Sequence, residues 1–425
     1  MSKALPAGRS WPSLPDLDLI ASQSRLIIRN SRKFTAAGFL QSLLSSVATG
    51  LASLNQIAGD LKDRDHPGMA RQSLHERFDI RSTAFLMAVL GDLMQQRYST
   101  AAAAIESSGI QRILIEDASS QVMPKSNADA FPAHGNHCGK TAGVKIDLAF
   151  DILTGSIVSH GLYAATEQDK SIGKEFIIEV RRGDLVLRDM GYFSLSEFTA
   201  IELLEAWWLT RLPLTTGVML ADGRTLEKLL KSFKGDIIDI DAIVGEQGKK
   251  CRIVAMRAAP EVSAARRAER RKKARECGKN PCPKGLLRDG WHLMLTNLSK
   301  EQADVSQLAA IYRARWAVEI QFRAWKQALN LGKALNRKSN EHHLQALVLA
   351  GMIAHQLGMR IAQRIGNIVG RARLSYEKLY DLLAVRLIKS RDLAELIAFD
   401  PDPRHVERDK RTRKSPVESG ILALT

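Results

Sequence analysis

A change of period near residue 112 constrains the fold of this chain more than any other feature. Upstream of it, apolar residues recur at helical spacing in FTAAGFLQSLLSSVATGLASL and STAFLMAVLGDLMQQ. From Arg112 onward the pattern becomes β-rich. RILIEDASS reads as a strand, and KIDLAFDILTGSIVSHGLYAAT as two strands around the turn at residues 153–155. GDLVLRDMGYF reads as a further strand that stops at Gly191. Helical patterns stand before that last strand (KEFIIEVRR) and after it (LSEFTAIELLEAWW). Strands and helices mixed in this order predict an α/β fold on a mixed sheet.

Three regions follow from the texture. Residues 1–105 are expected to be helical. Within them, SLNQIAGDLKDRDHPGMARQSLHERF reads equally well in two ways. It could be a DNA-binding helix-turn-helix, with Ser53 and Asn55 near one helix start, or two packed helices joined by a loop. Residues 106–340 form the α/β region, interrupted at about 212–295 by a β-rich insertion. That insertion holds the strand-like DIIDIDAIV and KCRIVAMRA, the very basic helix VSAARRAERRKKARE, and GWHLMLTNL, a strand opening on Trp291. Residues 341–425 read as a helical C-terminal region with a charged tail. The apolar run from Leu344 looks too short and too polar to span a bilayer, and no secretory signal is evident, so a cytoplasmic protein without a membrane partner is expected. The four cysteines are expected to be free thiols, since no histidine follows ECGKNPCP at zinc-finger spacing.

Three carboxylates stand out. Alternation along RILIEDASS puts Ile113, Ile115 and Asp117 on one strand face and Leu114 and Glu116 on the other. Asp117 thus closes an otherwise apolar face, where burying a carboxylate costs several kcal/mol without compensation. Asp189 closes the strand in DLVLRDMGYF. Either aspartate alone could be an ordinary strand-end cap. The third is Glu319, in AAIYRARWAVEIQFRAWKQA, residues 309–328. At about 100° per residue, Tyr312, Arg315, Glu319 and Lys326 fall within an arc of roughly 60°, bordering an apolar stripe of Ile311, Val318, Phe322 and Trp325. That border is either an ion-paired helix edge or a metal-binding carboxylate among phosphate-holding groups. The charge balance leans toward a polyanion: 62 Lys+Arg against 46 Asp+Glu gives +16. The basic helix is either a solvated face or a contact for DNA phosphates.

These residues carry a resemblance. Tyr312, Arg315, Glu319 and Lys326, at spacings of three, four and seven, are similar to the Y-R-E-K signature of the insertion-sequence-four family of bacterial DDE transposases. LIEDASS resembles that family's first-aspartate strand, and RDMGYFS its second-aspartate segment, with Met190 where the family often has arginine. The resemblance implies an RNase H-like mixed-sheet catalytic core with a β-rich insertion, flanked by helical N-terminal and C-terminal regions. It implies that Asp117, Asp189 and Glu319 are the catalytic residues and the ligands of two divalent ions, Mg²⁺ with Mn²⁺ able to substitute. Tyr312, Arg315, Lys326 and Trp291 would bind DNA, Trp291 by stacking on a flipped base or, alternatively, as a core-packed strand-end aromatic.

The expected function is DNA transposition, an enzymatic recombination in which transposon ends are cleaved and joined to target DNA by cut-and-paste, with a hairpin intermediate as one route. The expected partners are double-stranded DNA (terminal inverted repeats and target) and a second copy of the chain in an end-bound homodimer. The expected location is the nucleoid of a bacterial cytoplasm. Two other functions remain open at this point: a metal-dependent, structure-specific nuclease, and a catalytically silent DNA-binding regulator.

Overall fold

A computed structural model describes residues 15–29, 33–63, 68–95, 109–136, 139–153, 156–315, 330–335, 340–369, 374–390, 395–396, 398–399 and 401–407. The strands run in chain order: β1 (Arg112–Met123), β2 (Pro132–Asn136), β3 (Gly139–Asp151), β4 (Ser156–Ala164), β5 (Asp184–Arg188), β6 (Trp207–Arg211), β7 (Val218–Leu220), β8 (Ile237–Val244), β9 (Lys249–Arg257) and β10 (Trp291–Thr296). All join one sheet. Its centre is β4-β3-β1-β5-β6, with β1, β5 and β6 parallel, β3 antiparallel to β1, and β4 antiparallel to β3. That order and sense define an RNase H-like core. The insertion does not form a separate body, because β10 adds antiparallel to β6 and β9, β8 and β7 continue the same sheet.

Helices cover both faces. On one lie α6 (Asp169–Phe176) and α7 (Leu195–Leu203), over Leu114, Val186 and Trp208. The other face, carrying Ile113, Ile115, Leu185, Leu187 and Leu209, packs against the chain's helical flanks and against Leu308 and Ile311 of a helix considered below. The helical flanks comprise α2 (Ala36–Thr49), α5 (Ile80–Gln95), α13 (Glu341–Val369) and α14 (Tyr376–Lys389), with α1 (Leu17–Gln23), α3 (Leu54–Asp63), α4 (Arg71–His75) and α12 (Leu331–Leu335) around them. α2 packs on α13 and α14, and α5 on α13. Thus helices from the two ends of the chain share one core. Side chains reach across it: Gln41 donates to the Ser390 carbonyl at 2.8 Å, and Asn330 to the Ala48 carbonyl at 2.7 Å. Gly358 lets α13 and α14 approach closely, since a Cβ there would stand 2.8 Å from Leu383.

The structure revises several expectations. α13 is 29 residues long, and its apolar stretch is long enough to cross a membrane, but 89% of that window is buried inside the protein. Protein, not lipid, is what its apolar surface faces. β5 ends at Arg188 rather than Gly191, because Asp189 opens a short 3₁₀ turn, Met190–Tyr192. The helical reading of LSEFTAIELLEAWW stops at Leu203; the chain turns through Glu205 at φ 55° and re-enters the sheet at Trp207. Trp208 drives that switch. Its ring stacks on Phe198 at 4.3 Å and its indole donates to Glu202 at 2.8 Å, so burying it requires a strand beneath the helix. Between α3 and α4, the expected break falls partly on residues 64–67, outside the described residues.

Candidate active site

Two salt bridges, one at each end of the β1–β5 pairing, set the site's register. At the start, Arg112 grips Asp184 with two bonds of 2.8 and 2.6 Å, across the pair Arg112↔Asp184. At the other end, Glu116 stands opposite Arg188 and the two side chains meet at 2.7 Å. One residue further along each strand come Asp117 and Asp189, which therefore stand level just past the end of the pairing between these neighbouring parallel strands. Neighbouring strands lie about 4.8 Å apart. Asp189 continues the extended backbone (φ −78°, ψ 168°) and so keeps the face of Leu187. β1 itself runs on through Met123, but beyond Asp117 the same face carries only Ser119 and Gln121 before that end.

The expectation that Asp117 bears the burial penalty needs correcting. Its side chain is 21% exposed, whereas Glu116 on the opposite face is fully buried. Arg188, equally buried, meets Glu116 and Glu197 and donates to the Gly173 carbonyl at 2.6 Å. Phe176 and Tyr192 flank its guanidinium. Burial still pushes the Glu116 carboxyl well above its ordinary range, with Arg188 opposing the shift. Beside this group, Tyr192 donates to Asp147 at 2.7 Å, and burial raises the Asp147 carboxyl to about 7. The sequence reading missed this network. Its signal was present in the adjacent carboxylates of LIED and in the arginine immediately before Asp189, but pairing them needs the parallel register.

α11 (Val305–Ala314) brings in the next groups. Asp304 and Gln307 form a reciprocal capping box that fixes its start, and Leu308 and Ile311 bury its inner face in the core beside Asp117. Arg315 at its C-terminal end reaches within 4.0 Å of Asp117 and lies 5.9 Å from the Tyr312 ring centre. Burial raises the Tyr312 hydroxyl to about 12, Arg315 opposes this, and nearby Asp189 adds to it. The phenol therefore keeps its proton and is able to donate a hydrogen bond. Asp117, Asp189, Tyr312 and Arg315 thus come together. Glu319 and Lys326 lie outside the described residues.

Trp291 is placed elsewhere. It opens β10 on the opposite sheet face, is 4% exposed, packs near Phe233, and is covered by the Arg257 guanidinium 4.3 Å from its ring centre. As placed, it is a core residue. The basic helix α9 (Pro260–Glu276) has two faces. Arg266, Arg267 and Arg270 dock it, through the Trp291 carbonyl, the Leu286 carbonyl and Asp289 respectively. Arg271, Lys272, Lys273 and Arg275 point outward and are exposed. Cys251 is a buried free thiol, and Cys277 and Cys282 are exposed free thiols.

The two level, part-exposed aspartates suit hard divalent cations, which take carboxylate oxygens while keeping water and phosphate as further ligands. Among the described residues no third carboxylate, histidine or cysteine completes a metal-binding group with them.

Comparison with known proteins fits this geometry. The family model described as "Transposase DDE domain" matches residues 108–355, more than half of the chain. The transposase for insertion sequence element IS231D of Bacillus thuringiensis subsp. finitimus is 27% identical over 367 residues, covering 81% of this chain and 76% of that protein. The transposase for IS1151 of Clostridium perfringens is 21% identical over 344 residues, covering 75% of this chain and 72% of its own. Among solved structures, the piggyBac transposase synaptic complex with hairpin DNA matches with a TM-score of 0.46 and 10% identity, covering 92% of this chain and 80% of that one. The expected likeness to insertion-sequence transposases therefore holds over the sheet that carries Asp117 and Asp189, and the chain belongs to the DDE-domain transposases.

Proposed function

We propose that this transposase cuts its element's terminal inverted repeats out of double-stranded DNA and joins them to target DNA at one site built from Asp117, Asp189 and Glu319. The observation that carries the proposal is the level placement of Asp117 and Asp189 on adjacent parallel strands, with the Arg315 guanidinium 4.0 Å from Asp117. The three carboxylates would hold two divalent ions, Mg²⁺ or in its place Mn²⁺, which when bound supply Lewis acidity to the attacking and leaving oxygens of an in-line displacement.

The chain's own residues do the rest. Asp117 and Asp189 concentrate negative charge side by side at the end of the β1–β5 pairing. The Tyr312 hydroxyl donates a neutral hydrogen bond to a phosphate oxygen, Arg315 offers two parallel donors, and Lys326 adds a point charge. An attacking water gives a nick. The freed 3′-hydroxyl then attacks a second phosphodiester, giving up its proton and displacing the 3′-oxygen of the strand it breaks, so that no covalent protein–DNA intermediate is needed. A hairpin is the route by which one such site cuts both strands, and a homodimer brings the two ends together.

The test uses duplexes carrying the inverted repeats that flank the coding sequence. Asp189→Asn and Glu319→Gln are expected to bind the ends and neither nick nor join them, in Mg²⁺ or Mn²⁺. Nicking at near wild-type rate by either variant would sink the assignment. Hydrolysis without joining of precut ends by the wild-type chain would identify a nuclease instead.

A further inference from the structure

The start of α11 is held by the insertion. Ile238 and Ile240 of β8 and Cys251 and Ile253 of β9 share a core with α6 and α7. Alternation therefore puts Asp239 and Arg252 on the other sheet face, the one α11 covers. Arg252, 4% exposed, grips Asp239 with two bonds of 2.8 and 2.9 Å. Its Nη1 donates to three main-chain carbonyls: Leu298 at 3.3 Å, Ser299 at 2.8 Å and Ala303 at 2.7 Å. These carbonyls belong to the link from β10 into α11, and Ala303 immediately precedes Asp304, the N-cap of α11. The link is closed on itself. Ser299 N–H donates to Gln302 Oε1 at 3.0 Å, Gln302 N–H to Ser299 Oγ at 3.3 Å, and Ala303 N–H to the Ser299 carbonyl at 3.2 Å. At its other end Asn297 is tied to β6, accepting from Trp208 N–H at 2.8 Å and donating to the Ala206 carbonyl at 3.1 Å.

Leu298 and Ala303 are buried, where a carbonyl without a donor costs as much as a lost hydrogen bond. One planar guanidinium meets that need and the Asp239 carboxylate together. A lysine ammonium, a point charge on a flexible stem, cannot span both sides at once. We propose that Arg252 is a positioning residue: through this link the insertion sets the angle at which α11 leaves the sheet, and so where Tyr312 and Arg315 stand over Asp117 and Asp189. From Asp304 to Arg315 the helix rises about 16 Å, so a tilt of roughly 4° at its start moves the far end by about 1 Å. Arg315 stands 4.0 Å from Asp117, close enough for such a shift to matter. A misplacement of about 1 Å costs on the order of 100-fold in rate where geometry orients the reacting groups. The inference rests on the proposed transposition chemistry only for what α11 positions.

The experiment compares two buried arginines of the insertion in the full chain. Arg288 likewise joins a carboxylate, Glu227, to carbonyls, those of Pro213 and Thr216, but these belong to the connection between β6 and β7 and not to the link into α11. Nicking of a duplex carrying one inverted repeat is measured per folded molecule, and amide hydrogen exchange is followed by mass spectrometry without DNA or metal. Arg252→Lys and Arg252→Gln should lower kcat about 10- to 100-fold and leave KM for the duplex within about threefold. Their amides at residues 305–312 should exchange faster than in the wild type, while those of β1 and β5 keep their protection. Asp239→Asn keeps the guanidinium on its carbonyls and should move both readouts the same way by less, which maintains the test if the Arg252 variants fold poorly. Arg288→Lys should lose stability comparably and leave kcat and α11 exchange at wild-type values. Wild-type kcat in Arg252→Lys and Asp239→Asn, or equal loosening of α11 by Arg288→Lys, would overturn the proposal. If α11 loosens as expected in the Arg252 variants but the wild-type chain neither nicks nor joins in Mg²⁺ or Mn²⁺, the hold on α11 stands and the transposition chemistry falls.

Discussion

Arg188 offers the sharpest test of how the site is built. Arg188→Ala removes a guanidinium that is fully buried and bound to two carboxylates and a carbonyl. Glu116, also fully buried, then has no counter-charge in contact, and Glu197, 7% exposed, loses its own. Removing one partner of a buried ion pair destabilises by about 3–5 kcal/mol, because the remaining charge stays desolvated. The void left beneath Phe176 and Tyr192 adds a packing loss of the same sign. Against a total stability of roughly 5–15 kcal/mol, the single variant is expected to lose a large part of its folded population. The double variant Glu116→Gln/Arg188→Ala removes the stranded charge as well, and should unfold at higher urea than Arg188→Ala alone. Urea unfolding followed by tryptophan fluorescence supplies the four corners of the cycle, with the coupling expressed as non-additivity. A loss below about 1 kcal/mol for Arg188→Ala, in the range of exposed pairs, would refute the argument that the pair is desolvated. So would strict additivity.

Two further predictions separate packing from chemistry. Trp291→Ala should destabilise by about 3–5 kcal/mol in the same urea assay, as expected for a buried aromatic; a variant of unchanged stability that is slow only at hairpin formation would show instead that the ring leaves its core position to stack on a base. His343 packs against Phe78 in the shared helical core, and burial lowers its pKa from 6.5 to about 4. The unfolded chain therefore takes up this proton first: stability from this group is constant above about pH 6.5, declines as pH falls toward 4, and the total loss is roughly 3 kcal/mol. His343→Gln should flatten that stretch of the pH–stability curve, and an unchanged curve would assign the acid sensitivity elsewhere.

How much of this was legible depended on whether the governing relation was local. Strand alternation sufficed to place Ile113, Ile115 and Asp117 on one face, and helix periodicity sufficed to bury Ile311 and leave Arg315 at the border. A strand end was visible near Asp189 for the same reason. The parallel register of β1 on β5 was not, because it joins residues more than seventy positions apart, and with it went the Glu116–Arg188 pair and the level placement of Asp117 and Asp189. Trp208 defeated the helical reading because what decides its conformation is the Phe198 ring and Glu202 above it, both tertiary contacts. The basic helix looked uniform in sequence, yet three of its arginines are spent on docking, a division set by Asp289 and by two carbonyls that no pattern announces. Glu319 and Lys326 fall outside the described residues, so their expected part in the site rests on the resemblance alone.

The helices shared between the chain's two ends have a consequence for synthesis. Phe39, Leu43 and Val47 of α2 and Leu86 and Leu90 of α5 are buried in a cluster completed by Leu347, Met352 and Leu383, which the ribosome makes some 260 to 340 residues later. At about 5–20 residues per second, the N-terminal helices wait roughly 15–60 s for those partners. During that interval their apolar faces are open to solvent and to any chaperone, while the sheet can already close through its own strands. A chain broken off before α13 would therefore carry Asp117 and Asp189 but keep an unsealed hydrophobic surface, a liability for aggregation.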